Sequence, residues 1–257
     1  MTPARRRKET VLAVVVALGV LLIVFGWPFA TVWHAKRQAW ERIANIPPRD
    51  KATLNCALAG KTLEIPAAPA SARETIYSIG DYEFRLPAGA YRKADFSNDA
   101  IESDKLQVRF LSVQPRITEF SPAAQPTDES LRRWFQNTDP YDVLVAAFNA
   151  TPAGIRKQTT HAGLQEHLYL LLLKSAHQPI GSERLFLQFR ANGRRGILAG
   201  DLSCEMIIVL LYLGETKEFA ELLISGKEGS RMSDVYGCLG QLMVRPGGPA
   251  TATSPAP

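Results

Sequence analysis

The chain has 257 residues and a formal net charge of +5 at neutral pH. The positive excess lies near the amino end, since residues 1–51 hold nine Lys or Arg and three Asp or Glu, against 21 and 22 in residues 52–257. The larger part of the chain is nearly neutral and lacks the basic surface that binds a phosphate backbone, which excludes nucleic acid as the expected partner.

An uncharged run begins at Thr10 and ends at Trp33, just after a basic tail over residues 1–9. A helix needs about 20 apolar residues to cross the hydrocarbon layer of a bilayer, so the run predicts a transmembrane helix over residues 10–33. The alternative is a cleavable signal peptide, whose apolar core is shorter, about 7 to 15 residues, and ends in small residues before the cut. Pro28 lies two positions before Ala30, where such a site needs a small residue, and this favours a retained anchor.

Basic residues flank both ends of the run, four of them at 5–8 and five within residues 34–51. The positive-inside rule compares these two counts, and they are nearly equal. Because the first four are contiguous and close to the apolar run, we predict a cytoplasmic amino terminus and an extracytoplasmic domain. The alternative places the domain in the cytoplasm, with the second basic segment against anionic lipid head groups.

The segment 34–72 is predicted to connect the membrane helix to the domain. Residues 34–46 have the pattern of an amphipathic helix, which Pro47 and Pro48 bring to an end. The residues after them are rich in alanine and proline and predict a partly extended tether. At the far end of the chain, residues 246–257 contain only Pro, Gly, Ala, Thr and Ser and are predicted to be disordered.

The remaining residues, 73–245, are predicted to form one globular domain. In its first half, residues 82–86 alternate apolar side chains with charged ones, and residues 106–110 repeat the pattern with polar ones. Such alternation is typical of strands with one buried face. The sequence therefore predicts a sheet that is built first from this half of the domain.

Helical spacing replaces alternation in the middle of the domain. Apolar residues predict helices over 131–135 and 141–148, and Asp139 is placed to cap the second of them. The leucine-rich residues 168–173 fit either a buried helix or a central strand. We predict a strand here, because the alternating segment 185–190 that follows is a suitable neighbour.

Turn residues organise the last part of the domain. Asn192 and Gly193 predict a two-residue hairpin turn, and the uninterrupted apolar run 206–213 predicts a strand buried on both faces. A helix is expected over residues 216–226, with Thr216 at its start and a glycine at its end. A last helix is expected behind a cap at Ser230.

Together these elements predict the α+β class, as an N-terminal single transmembrane helix followed by one domain with a mainly antiparallel sheet packed by helices. Hairpin strands, central helices, further hairpin strands and closing helices follow one another along the chain. This order is similar to that of the PsbP and Mog1 type of α/β sandwich. The resemblance implies a fold and no particular function.

His161, Glu166 and His167 come closest to a catalytic or metal-binding cluster. Their spacing matches neither H-E-x-x-H nor its inverted form. Residues six positions apart on a helix point about 120° away from each other, so the two rings would not share one ion. Ser203 lacks the G-x-S-x-G frame of a nucleophile elbow, and Cys204 has no identifiable base. We therefore predict no catalytic residue.

No metal or cofactor site is predicted either. Cys56, Cys204 and Cys238 form no C-x-x-C pair, and no histidine lies at metal-ligand spacing. No glycine-rich segment has the spacing of a phosphate-binding loop. In an oxidising compartment the cysteines allow one disulfide and one remaining thiol, and otherwise they are buried apolar side chains.

A fixed anchor, a near-neutral domain and the lack of a catalytic signature predict a single-pass, membrane-anchored, non-enzymatic accessory or binding protein. Its expected partners are the lipid bilayer, through the run between Thr10 and Trp33, and another protein or envelope component. One alternative is a membrane-tethered hydrolase that gathers His161 or His167 with a carboxylate in a pocket. The other is a lipid or small-molecule carrier with a large apolar cavity.

Overall fold

The domain is organised in layers around an eight-stranded sheet. The computed structural model of the chain describes residues 27–45, 51, 54–69, 71–94, 100–114, 129–176, 185–200 and 206–246. Its helices are α1 (Trp27–Ala44), α2 (Glu129–Asn137), α3 (Pro140–Asn149), α4 (Gly154–Lys157), α5 (His161–Ala176) and α6 (Met232–Gln241). Its strands are β1 (Leu63–Ile65), β2 (Glu74–Ile79), β3 (Tyr82–Pro87), β4 (Arg92–Lys93), β5 (Ala100–Glu102), β6 (Leu106–Gln114), β7 (Leu185–Ala191), β8 (Arg194–Gly200), β9 (Ile207–Leu213), β10 (Glu218–Gly226) and β11 (Met243–Pro246).

The central sheet has the strand order β1-β7-β8-β9-β10-β6-β5-β4. The short strand β1 runs parallel to β7, and the other neighbouring pairs are antiparallel. A second sheet, β11-β3-β2, is antiparallel and packs on one face of the central sheet. The predicted α+β class, with sheets packed by helices, is confirmed.

Strand β9 separates two hydrophobic cores because both of its faces are covered. Val209 and Leu211 belong to the core shared with the second sheet and α6. Leu210 and Tyr212 belong to the core beneath α1, α3 and α5. The uninterrupted apolar run of this strand correctly predicted its burial on both sides.

Several local predictions are confirmed. Asn192 and Gly193 have φ values of 51° and 73°, the left-handed conformation that both central residues of a type I′ turn require. The Asp139 side chain accepts a hydrogen bond from the Tyr141 amide, as expected of the residue that caps α3. The last helix also forms, although Arg231, one residue after the predicted cap, occupies its N-cap position.

The prediction of a strand over residues 168–173 is wrong, since these residues lie within α5. Leu170, Leu171 and Leu173 are buried, whereas Leu172 is 48% exposed. A strand would place residues 170 and 172 on the same face, so this burial pattern requires a helix. The leucine run is one side of a 16-residue helix that packs against the sheet core and against α3.

The helix predicted over residues 216–226 is also wrong, because the segment forms β10. Thr216 and Lys217 lie in the turn after β9, and Lys217 takes a φ of 60°. β10 then pairs with β9 on one side and with β6 on the other. These two ladders satisfy the backbone of the segment on both edges, which local helix-capping signals cannot anticipate.

Part of the segment 34–72, predicted as a juxtamembrane helix and a tether, is packed on the domain. Ala39 of α1 is 4% exposed, and Leu54 and Leu58 are 3% and 8% exposed, all within the core beneath the helices. β1 then joins the central sheet. The segment packs on the domain because the apolar residues between its alanines and prolines remove apolar surface from water, which a free tether would leave exposed.

The predicted membrane span lies mostly outside the described residues. Of residues 10–33, those from 27 onward belong to α1, and residues 10–26 are not described. Among the helices of the described ranges, none combines the length and the hydropathy needed to cross a bilayer. The basic tail over 1–9 and residues 247–257 also lie outside the described ranges.

Candidate functional site

An open cleft of about 900 Å³ lies at one end of the central sheet. It is enclosed by the β7–β8 turn, the β9–β10 turn, the end of β1 and the residue that precedes α3. Its charged lining residues are Glu64, Asp139, Arg190, Arg194, Arg195, Glu215 and Lys217. With four cationic and three acidic side chains, the cleft offers a polar binding surface with a small positive excess.

Asp139 forms the centre of one wall of the cleft. Besides the Tyr141 amide at 2.9 Å, its carboxylate accepts hydrogen bonds from the Tyr212 hydroxyl at 3.0 Å and from Arg195 Nη2 at 3.2 Å. The sequence predicted the helix cap but not these two partners, which lie on β9 and β8. One carboxylate thus connects the start of α3 to two neighbouring strands.

Arg195 is held between two aromatic rings. Its guanidinium carbon lies 4.2 Å from the ring centroid of Tyr141 and 4.9 Å from that of Tyr212. Cation–π contacts and the ion pair with Asp139 restrict the side chain to one orientation. Because Arg195 remains partly exposed in the cleft, its other N–H groups form a positioned set of donors for an acidic group.

Burial raises the pKa of Tyr212, and its hydrogen bond to Asp139 raises it further, to about 12. Burial likewise raises the pKa of Tyr141. Both hydroxyls are therefore protonated at physiological pH, and that of Tyr212 serves as a donor to the Asp139 carboxylate. These tyrosines stabilise the geometry of Arg195 and do not act as bases.

Hydrogen bonds behind the cleft connect the two sheets. Arg194 donates a hydrogen bond of 3.0 Å to the carbonyl of Val244, in β11. Tyr82, in β3, donates to Glu218 Oε2 at 2.5 Å and contacts the hydroxyl of Thr216 in the β9–β10 turn. Burial, followed by the hydrogen bond to Glu218, raises the pKa of Tyr82. Both turns that border the cleft are therefore fixed to the second sheet.

The rim carries cations that are free to engage a ligand. Arg190 and Glu64 lie 3.7 Å apart, and both side chains are about two-thirds exposed, at 66% and 69%. Such a pair is weak and exchanges readily for another acidic partner. Within the described part of the chain, Lys217 has no ion-pair partner and is exposed. A positioned Arg195 beside the exposed cations Arg190 and Lys217 is an arrangement suited to binding a carboxylate or phosphate group.

His161 and His167 are not gathered into this cleft. His161 is exposed at the first position of α5, whereas His167 Nε2 lies 2.8 Å from the carbonyl oxygen of Thr151. The His167 ring also lies against Gly154, where a Cβ atom would approach its Cε1 to 2.3 Å. His167 therefore fastens α5 to the start of α4, and Glu166 contributes no third ligand, since no possible metal cluster occurs among the described residues.

Lys174 is a buried polar residue that the sequence did not single out. It is 0% exposed, and its ammonium donates to the carbonyls of Ala150 at 2.8 Å, Leu54 at 3.1 Å and Cys56. Burial lowers its pKa to about 8. In the sequence, Lys174 is marked only by its place directly after a leucine run. A lysine there is easily interpreted as the polar end of a helix. Lys174 joins α5 to the end of α3 and to residues 54–56.

The described cysteines are thiols. Cys238 is buried in α6, and burial raises its pKa to about 11. Cys56 is half-buried near the Lys174 ammonium, and no disulfide joins it to Cys238 within the described ranges. Cys204 and Ser203, also considered from the sequence, lie outside the described residues. Cys238 therefore lacks the exposed, cationic surroundings of a reactive thiol, whereas Cys56 has one cation, Lys174, beside it.

The chain as a whole has no detectable relative among known proteins. No protein-family model matches it, and neither the curated proteins nor the solved structures include a match. The similarity of its element order to the PsbP and Mog1 type of sandwich therefore stays a prediction.

Proposed function

We propose that this chain is a single-pass membrane protein that presents a non-enzymatic binding domain at the membrane surface. Residues 10–33 would cross the bilayer, with the amino terminus cytoplasmic and the domain extracytoplasmic. The observation that carries the proposal is the two-sided exposure of α1. Phe29 and Trp33 are 68% and 65% exposed, while Val32 and Ala39 are 7% and 4% exposed.

Exposed aromatic side chains suit the membrane–water interface, where rings settle between lipid chains and water. Phe29 and Trp33 are four residues apart and lie on one face of α1, at the end that continues the uncharged run. Val32, on another face of this end, is buried, and from Ala35 onward α1 packs against α5 and the core beneath the helices. This division supports a helix that leaves the bilayer and enters the domain without an intervening tether.

The cleft supports the binding part of the proposal. Its lining provides a positioned arginine, two exposed rim cations and fixed turns. The described lining residues include no Ser, Cys or His, and of the cleft's carboxylates Asp139 is already engaged by Tyr141, Tyr212 and Arg195. We therefore favour recognition of an acidic group on a protein or envelope component. The hydrolase alternative required His161 or His167 beside a carboxylate in a pocket, and neither lines this cleft. The charged lining does not suit an apolar carrier.

The anchor is tested by alkaline carbonate extraction of membranes that contain the full-length chain. We expect the uncut chain to stay in the membrane pellet and to be released only by detergent. The variant with Leu18→Arg and Leu22→Arg should be released by carbonate, because each arginine near the centre of a span costs about 2.5–3.5 kcal/mol. Release of the unmodified, uncut chain by carbonate would contradict the proposal.

Orientation requires a separate test. A fusion of alkaline phosphatase to the carboxyl end is expected to be active, because the enzyme matures only outside the cytoplasm. A cytoplasmic reporter at the same position should then give no signal. The opposite pair of results would place the domain in the cytoplasm and contradict the predicted orientation.

The role of the cleft is tested by capture of partners from mild detergent. Replacing Arg190 and Lys217 by glutamate should remove the captured partner, because the rim would then repel an acidic group. The matched control replaces Arg73 and Lys105, which are exposed outside the cleft, by glutamate. If both double variants capture the same partner as the unmodified chain, the cleft is not the binding surface.

A further inference from the structure

We infer that α1 and α4 together form a basic rim that binds the phosphates of anionic phospholipids. The basic rim consists of Lys36, Arg37, Arg156 and Lys157. The inference rests on the proposed membrane anchor and not on its orientation, and it adds a lipid class and a second contact surface to that anchor. Its consequence is that the domain lies against the bilayer in one orientation rather than rotating around the anchor.

Two contacts bring α4 alongside the membrane end of α1. Lys36 Nζ donates a hydrogen bond of 3.1 Å to the Arg156 carbonyl, across 120 positions of sequence. The Arg156 guanidinium carbon lies 5.0 Å from the centroid of the Trp40 ring. Arg156 and Lys157 are both exposed. Basic residues from distant parts of the sequence therefore form one continuous surface.

Along α1, the basic rim lies at the height of the lipid head groups. A helix rises about 1.5 Å per residue, so Lys36 and Arg37 lie about 5 to 6 Å beyond Trp33, and Trp40 about 10 Å beyond it. The interfacial layer on each side of the hydrocarbon core is about 5 to 8 Å thick. With Trp33 at the hydrocarbon boundary, Lys36 and Arg37 reach the phosphates directly. To reach them, the Arg156 guanidinium leaves the Trp40 ring, and the long side chain spans the remaining distance.

The charges of the rim are available to phosphate. α1 and α4 contain five Lys or Arg in their sequences and one acidic residue, Glu41. Glu41 pairs with Arg37 at 3.0 Å, and the two side chains are 61% and 65% exposed, so the pair is weak. Within the described ranges, Arg156 and Lys157 have no carboxylate partner. Arginine can bind phosphate in a bidentate manner, which makes Arg156 the strongest member of the rim.

A lipid surface accounts for the arrangement better than a protein partner does. The rim continues directly from the exposed aromatic residues Phe29 and Trp33, along one helix. Aromatic rings followed within two turns by basic side chains are the sequence of chemistries met on leaving a bilayer. A protein partner would have to reproduce both layers at the same spacing.

The test uses the full-length chain in sealed vesicles of phosphatidylcholine that contain a tracer phosphatidylglycerol with a photoreactive head group. After illumination, we expect cross-links in the peptides that contain α4. The variant with Arg156→Glu and Lys157→Glu should reduce their yield about tenfold, because attraction at two positions becomes repulsion. The matched control, Arg73→Glu with Lys105→Glu, changes one arginine and one lysine that are exposed and lie outside α1 and α4, and it should leave the yield unchanged.

A measurement on the unmodified chain keeps the test independent of folding of the variants. The rate at which Lys157 is acetylated should fall severalfold when phosphatidylglycerol is added to neutral vesicles, while the rate at Lys93 stays constant. Added inorganic phosphate should not restore the rate, since the bound phosphate belongs to the bilayer. Suppose that Lys157 is acetylated at equal rates in both vesicle types and that the chain resists carbonate extraction. This result would overturn the inference that the basic rim binds lipid phosphate and would leave the proposed anchor intact. A chain that carbonate removes from the vesicles would overturn both.

Discussion

Asp139 shows how a residue recognised for one local role also serves the tertiary structure. Its carboxylate caps α3 and accepts hydrogen bonds from Tyr212 and Arg195, which come from two neighbouring strands. Local sequence predicted the cap because the signal lies within three residues. The partners lie 73 and 56 positions away and meet Asp139 only through the register of β8 and β9.

Replacing Asp139 by alanine should lower the free energy of unfolding by about 1–3 kcal/mol, because a helix cap and two further hydrogen bonds are lost. Urea denaturation measures the change. The matched control is Asp142→Ala, an exposed residue in the first turn of the same helix, which should cost less than about 1 kcal/mol. Equal losses in the two variants would show that only the helix dipole matters.

The same substitution should lower the pKa of Tyr212, because the hydrogen bond to Asp139 helps to raise it to about 12. Burial remains, so the pKa should not fall to the ordinary value of about 10. Ultraviolet titration of tyrosinate in Asp139→Ala and in the unmodified chain measures the difference. A titration curve that does not change would exclude a hydrogen bond between the two side chains.

Lys174 should make stability depend on pH in the alkaline range. In the folded state its pKa is lowered to about 8, whereas in the unfolded chain it is about 10.4. Between these values the unfolded state binds more protons, so the free energy of unfolding should rise with pH. The charged ammonium opposes folding fully below pH 8, and the penalty disappears above about 10.4.

Comparison with Lys174→Met isolates this effect from the titration of tyrosines. The stability of the unmodified chain relative to this variant should increase by about 2–3 kcal/mol between pH 8 and about 10.4, measured by urea denaturation. The exposed Lys157→Met variant should follow the unmodified chain at every pH. A constant difference between the unmodified chain and Lys174→Met would mean that the buried ammonium keeps an ordinary pKa.

Among the elements, α1 is the helix whose packing on the domain the proposed anchor requires. Ala39 is buried in the core beneath the helices, and its neighbour Gln38 is exposed. Ala39→Leu should force α1 away from α5, because extra methylene groups in a packed core cost about 1–3 kcal/mol. Amide hydrogen exchange in α1 should then become at least tenfold faster.

The matched control for this prediction is Gln38→Leu, which adds a leucine to the solvent face of the same helix turn. It should leave the exchange rates of α1 unchanged. If Ala39→Leu also leaves them unchanged, then α1 is not packed on the domain. The direct connection between the membrane helix and the domain would then be absent.

The elements that could be predicted are those whose structure is determined by residues close together in the sequence. The pattern within the sequence located β3, β6, β9, α3 and the hairpin turn at Asn192, because alternation, a cap or a turn residue is local. β10 was mistaken for a helix because its identity depends on pairing with β9 and β6. The leucine run of α5 carries no local signal that separates a buried helix from a strand. The cleft could not be predicted, since its walls come from four separate segments.

Across the whole molecule, α1 and the candidate cleft belong to the same layered domain. α1 belongs to the helical layer, whose core lies on one face of the central sheet, and the cleft is at one end of that sheet. A membrane helix that continues into this layer would therefore fix the height of the cleft above the bilayer. Binding at the cleft would then be restricted to partners that reach the same height.

Protease protection in sealed vesicles tests the central claim, a retained membrane span that continues into the domain, most directly. Full-length chain is reconstituted, digested with proteinase K from outside, and the surviving peptides are identified by mass spectrometry. We expect peptides that cover residues 10–26 to survive in vesicles and to disappear once detergent dissolves the bilayer. Cleavage within residues 10–26 at the same rate with and without detergent would contradict the account.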